Sequence, residues 1–90
     1  MREIVITNRF KKDVRLAERR GLDISKLYAV IEMLRKNTSL PEKYKDHVLV
    51  GKYYNHRECH IEPDWLLVYL VSDDNLVLTA VRTGSHADLF

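Results

Sequence analysis

Trp65-Leu66-Leu67-Val68-Tyr69-Leu70-Val71 is the longest unbroken apolar run in the chain, at seven residues. A strand sends alternate side chains to opposite faces, so a run apolar at every position predicts a central strand covered on both sides. It is far too short to cross a membrane as a helix, which takes about 20 apolar residues. Ser72-Asp73-Asp74-Asn75 follows it and reads as a turn, since Asp and Asn bond their own backbone and tolerate turn conformations. Beyond that turn Leu76–Thr83 reads as another strand, and before the central run Tyr53–Ile61 reads as a third.

Working back to the start, Glu3 to Thr7 alternates weakly and is rich in Ile and Val, which predicts a short strand. Asn8 is placed to cap a helix, because its side-chain oxygen accepts from the free N–H groups of a first turn. Phe10, Val14 and Ala17 then recur at helical spacing, with Lys11, Lys12, Arg15, Arg19 and Arg20 on the wetter faces. Gly21 falls where a helix end commonly needs a left-handed residue. Asp23 is placed to cap a second helix whose stripe is Ile24, Leu27, Ile31 and Leu34 and which runs out near Asn37. So short a turn makes the two helices an antiparallel hairpin. Residues 38–52 read as irregular, punctuated by Pro41 and Gly51, and residues 84–90 as a short tail. The order β-α-α-β-β-β predicts an α+β fold, a helical hairpin packed on an antiparallel sheet, as one domain over residues 1–90.

The net charge is only +2, but it is unevenly spread. Residues 1–36 carry ten Lys/Arg against five Asp/Glu, whereas residues 37–90 carry five against eight. All four histidines, His47, His56, His60 and His86, lie in the second part. A basic first third beside a His-rich remainder suits a polyanion-binding face next to a separate chemical site, although a solvated helix face has the same composition. The first residues do not read as a signal peptide, and a lone Cys59 forms no internal disulfide. Both point to the reducing cytoplasm.

Four groups carry the candidate chemistry: Asp46-His47, His60, Asp64-Trp65 and Arg82-Thr83-Gly84-Ser85-His86. Histidine, with an ordinary pKa of about 6.5, exchanges protons near neutrality. Arginine matches phosphate oxygens and keeps its charge. Together with a carboxylate they suffice for phosphodiester cleavage without metal. One imidazole deprotonates a ribose 2′-OH, another protonates the departing oxygen, and Arg holds the phosphorane charge. His56 and His60 are a poor metal pair, since four residues of strand at roughly 3.3 Å each set them about 13 Å apart. No second Cys or tight carboxylate cluster completes a zinc site in the sequence. Cys59 reads as core packing and so does Trp65. Phe90 reads either as a free ring for stacking on a base or as a plug for the core.

Tyr44-Lys45-Asp46-His47-Val48-Leu49-Val50-Gly51, Arg57-Glu58-Cys59-His60-Ile61-Glu62-Pro63-Asp64-Trp65-Leu66-Leu67-Val68-Tyr69 and Arg82-Thr83-Gly84-Ser85-His86-Ala87-Asp88-Leu89-Phe90 stand in this order at close spacing. They resemble the YafQ branch of the RelE toxin superfamily. The likeness is specific over residues 44–90 and only one of pattern over residues 1–43. It implies a RelE-like fold and the toxin of a type II toxin–antitoxin pair. It also implies a ribosome-dependent endoribonuclease acting on mRNA in the decoding site, neutralised by a cognate antitoxin. The family's active-site histidines fall on His47, His60 and His86, its acidic residue on Asp64, its phosphate-holding arginine on Arg82 and its terminal aromatic on Phe90. His56 matches no fixed histidine of the family. Relatives can continue past this Phe; at Phe90 an α-carboxylate brings a negative charge near where an RNA phosphate would lie.

The expectation is thus a cofactor-free, metal-free RNase using the substrate's own 2′-OH. It leaves a 2′,3′-cyclic phosphate and a 5′-OH, with His86 and His60 in acid–base work, His47 and Asp64 as orienting or proton-transfer groups, and Arg82 stabilising charge. Lys11, Lys12, Arg15, Arg19 and Arg20 are expected to grip ribosomal RNA. Two rival classes are a binding toxin of the same fold that does not cut, and a small metal-dependent hydrolase.

Overall fold

The computed structural model describes residues 1–90. Its elements are β1 (Glu3–Ile6), α1 (Asn8–Arg19), α2 (Ile24–Arg35), β2 (His47–Val48), β3 (Arg57–Glu62), β4 (Trp65–Ser72), β5 (Val77–Gly84) and α3 (His86–Leu89), with single 3-10 turns at Glu42–Tyr44 and Gly51–Tyr53. The five strands form one sheet in the order β1-β5-β4-β3-β2. The α+β class and the helical hairpin are as expected, but the sheet is mixed. β3, β4 and β5 run antiparallel, while β1 lies parallel to β5, from Glu3 opposite Val77 to Ile6 opposite Ala80. A parallel neighbour needs a long crossover. The two helices and everything up to β4 supply it, and local pattern cannot reveal that pairing.

β4 is central, as its composition predicts, and each face has its own cover. On one side α1 and α2 press Phe10, Val14, Ala17, Leu27 and Leu34 against a cluster that includes Leu67 and Tyr69. On the other, Leu66 and Val68 pack with Tyr53 and Leu89. Burying a Leu or Val side chain is worth about 1.5–3 kcal/mol, so the small second cluster is enough to dock the chain's end. The tail is therefore an element, not a loose end. Ser85 caps α3 reciprocally with Asp88, and Leu89 is buried at 1% exposure.

Several local readings move by a residue or more. Thr7, not Asn8, caps α1. Its hydroxyl oxygen accepts from the Phe10 N–H at 2.9 Å and donates to the Val81 carbonyl at 2.8 Å, joining the helix start to β5. Asp23 caps α2 as expected, and Gly21 is left-handed at φ 78°. Tyr53 is part of a 3-10 turn instead of a strand, so the third strand starts at Arg57. The stretch 38–52, read as irregular, contains β2, two residues paired with Arg57 and Glu58.

Candidate functional site

Cys59 and Ile61 of β3 point into the helix-side core, so Glu58 and His60, alternating with them, project from the opposite face. β2 lays His47 directly opposite Glu58. β5 ends beside the start of β4, with Gly84 opposite Leu66, and α3 then begins at His86. Three segments far apart in the chain thereby meet. The ring centroids are 6.3 Å apart for His47 and His60, and 5.7 Å for His60 and His86.

Each ring has a partner that sets its orientation. Asp64, in the turn between β3 and β4, accepts from both the backbone N–H (2.9 Å) and Nδ1 (2.6 Å) of His86. These bonds, the backbone one first, hold the Asp64 carboxyl below the ordinary carboxylate range. With Nδ1 donating to a carboxylate, Nε2 of a neutral His86 carries the free lone pair and can take a proton. His47 is held by the Lys45 carbonyl, 2.6 Å from its Nδ1, an angle made possible by the left-handed backbone of Lys45 (φ 49°). The Nε2 atoms of His47 and His60 each lie 3.4 Å from the same oxygen of Glu58, whose side chain is buried. The sequence reading omits Glu58. Its signal was the i, i+2 spacing to His60 on a strand, which puts both on one face.

Glu58, His60 and His86 form a grouping that the sequence reading, which weighed only His56 with His60, did not foresee. One ligand atom from each lies within 4.8 Å of the others, two imidazoles and a carboxylate of the kind zinc or copper accepts. His56 stays outside this group, edge-on to Tyr53. Burial, chiefly, pushes the Cys59 thiol up to about 12, so it is core and not a nucleophile.

Of the remaining expected site residues, Arg82 and Arg20 are less free than the sequence suggests. The Arg82 guanidinium grips buried Asp13 of α1 through Nε (2.7 Å) and Nη2 (3.2 Å), and its Nη1 lies 3.4 Å from the Tyr53 hydroxyl. Arg20 is tied at 2.6 Å to Asp88 of α3. Its charge holds the site's helix in place instead of facing solvent alone. Lys11, Lys12, Arg15 and Arg19 are exposed and form no ion pair. Phe90 is 57% exposed and packs edge-on against Tyr53, with centroids 5.6 Å apart, so it does not plug the core; Leu89 does. Asp46, next to His47, is anchored by Arg57 at 3.2 Å and by the Tyr69 hydroxyl.

A mixed sheet with a histidine–carboxylate cluster at one end places the protein among small bacterial toxins of endoribonuclease type. The chain belongs to the YafQ family, bacterial toxins of type II toxin–antitoxin systems, whose family model matches residues 2–90. It is 43% identical over 90 residues to the mRNA interferase toxin YafQ of Escherichia coli K12, covering 99% of this chain and 96% of that one. The YafQ chain in a crystal structure of the E. coli DinJ-YafQ complex superposes with a TM-score of 0.91 at 42% identity, over 100% of this chain and 99% of that one. A metal-bound toxin from Helicobacter pylori superposes with a TM-score of 0.93 at 41% identity, over the whole of both chains.

Proposed function

We propose that this toxin cuts mRNA in the decoding site of the ribosome by in-line attack of the substrate's own 2′-OH. The observation that carries the reading is the approach of the Asp64-oriented His86 to His60 within 5.7 Å. Two imidazoles at that spacing can serve the attacking and the leaving oxygen of one phosphate. One removes the 2′ proton, the other protonates the 5′ oxygen, and the products are a 2′,3′-cyclic phosphate and a 5′-OH. Glu58 faces His47 and His60 at a shared oxygen and orients both. The part of Arg82 not spent on Asp13, its Nη1 edge beside Tyr53, supports the phosphorane charge. Phe90 presents its ring for stacking on a substrate base.

Exposed Lys11, Lys12, Arg15 and Arg19 grip ribosomal RNA, with Arg20 left out because it secures α3. A cognate antitoxin neutralises the toxin by direct binding, as the complex of the E. coli relative with DinJ supports. No helix is long and apolar enough to cross a membrane, and the cytoplasm is the proposed compartment.

A metal reading has its own support in the Glu58, His60 and His86 cluster and in the metal-bound relative from H. pylori. Those three residues would hold the ion, which supplies a Lewis acid when bound. The proposed reaction instead needs the same nitrogens to carry protons.

The deciding experiment maps the ends of an mRNA cut on ribosomes. Cyclic or 3′-phosphate with 5′-OH ends, and no cutting at a 2′-deoxy nucleotide, are expected. Ends with a 5′-phosphate and a free 3′-OH would overturn the mechanism.

A further inference from the structure

β2 covers β3 only at Arg57 and Glu58, so β3 from His60 to Glu62 has no strand on that side. A cleft of about 520 Å³ opens there, within the range of about 300–1,000 Å³ typical of small-ligand sites. It runs from α2 past the Glu42–Tyr44 turn to β3, where His60 is the one member of the histidine cluster in its lining. Its charged lining is Lys26 from α2, Lys43 and Lys45 on either side of Tyr44, and a single acid, Glu62. Lys26 Nζ lies 3.9 Å from Glu62, and Lys43 Nζ sits 5.1 Å from the centre of the Tyr44 ring.

These cations are not one helix's solvated face. Three come from two separate elements and converge on one hollow that reaches β3 at His60. Lys45 links the two directly. Its left-handed backbone turns its carbonyl onto His47 Nδ1, while the residue itself lines the cleft. Neither Phe90 nor Tyr53 lines it.

We infer that this cleft is the seat of the substrate nucleotide adjoining the cut, with RNA phosphates on Lys26, Lys43 and Lys45 and a base against Tyr44. The inference rests on the RNase reading above. The strand then crosses the histidines between two aromatic seats, Tyr44 on one side and the Phe90–Tyr53 pair on the other. The lysines bind and position; they exchange no protons with the reacting atoms.

The test is binding of a ten-nucleotide single-stranded RNA, fully 2′-O-methylated so that it cannot be cut, across a potassium chloride series. The native protein is compared with the triple variant Lys26→Gln, Lys43→Gln, Lys45→Asn; Asn suits the left-handed position. Three lost phosphate contacts should flatten the log–log salt slope by about 2 and weaken binding about tenfold or more at low salt. The double variant Lys26→Gln, Lys43→Gln leaves residue 45 untouched, and should flatten the slope by about 1.4, so a folding defect in the triple variant decides nothing by itself. On programmed ribosomes the double variant should need more protein for half-maximal cutting while its saturated rate changes little. Native-like affinity and slope in the double variant, or no binding of this RNA by the native protein, overturns the inference. So does weakened ribosome binding with unchanged oligonucleotide binding, which assigns the lysines to ribosomal RNA. His86→Gln separates this from the reading beneath it. If that variant has lost cutting and the lysine variants bind as the native protein does, only the cleft assignment fails; if it cuts normally, the RNase mechanism fails.

Discussion

His86 Nδ1 lies 2.6 Å from Oδ1 of Asp64, and the His86 backbone N–H donates to the same oxygen from 2.9 Å. One carboxylate thus sets both the position of the helix start and the tautomer of its ring. His86→Gln should lower single-turnover cleavage by about 10²–10⁴-fold, the usual worth of a general acid or base. Asp64→Asn keeps an acceptor but loses the charge, and should cost less, about 10–100-fold. Both side chains are more than half exposed, so melting temperatures should stay near the native value. A large loss of stability in His86→Gln would reassign the residue to structure.

Arg20 tests whether α3 is secured from α1. Arg20→Gln frees Asp88 and should raise amide exchange over residues 86–90 and slow cleavage, with little change in global melting. Gly84→Ala should act alike, because a Cβ there would lie 3.0 Å from both Cβ and Oδ2 of Asp88. If exchange at the tail is unchanged in Arg20→Gln, the residue returns to the RNA-gripping group. That group, Lys11, Lys12, Arg15 and Arg19, changed together to Gln, should flatten the salt dependence of ribosome binding without altering tail exchange.

The same pairing has a pH signature. The Arg20 hydrogen bond, chiefly, holds the Asp88 carboxyl far below the ordinary carboxylate range, and His86 holds Asp64 below it. A carboxyl depressed in the folded state contributes stability above its unfolded value of about 3.9, and loses it only as pH falls through the folded one. Amide signals of residues 86–90 should therefore report a docked α3 from pH 7 down to about 4 and release only below that. Release near pH 6 would show that histidine protonation, not these carboxylates, governs docking.

Leu89 and Phe90 should separate stability from function. Leu89→Ala empties a fully buried position and should cost about 2–5 kcal/mol with a clear fall in melting temperature. Phe90→Ala removes an exposed ring, so the fold should be nearly unaffected while cleavage falls by the equivalent of about 1–3 kcal/mol of lost stacking. A destabilised Phe90→Ala protein cutting at the native rate would contradict the stacking role.

Zinc should inhibit rather than activate. Glu58, His60 and His86 can chelate it, but the proposed proton transfers need His60 and His86 free. Cleavage should persist in a chelator selective for zinc over magnesium, which leaves ribosomes intact, and fall on adding zinc. Activity lost to the chelator and restored by zinc would establish the metal reading.

What the sequence determined by itself was whatever depends on near neighbours. The apolar stripes placed α1 and α2, Gly21 and Asp23 marked the hairpin between them, and the two-faced apolar run made β4 central. The three motifs pointed to His47, His60, Asp64, Arg82, His86 and Phe90. Their partners were decided by the tertiary structure. Asp13 holds Arg82 across 69 positions, Arg20 holds Asp88 across 68, and Asp64 reaches His86 across 22. The parallel seat of β1, the two-residue β2 opposite Glu58 and the chelating geometry of Glu58 with His60 and His86 have the same origin. The physical reason is that helical periodicity and strand alternation act over a few residues, whereas a charge's partner depends on which strands lie side by side and in what register.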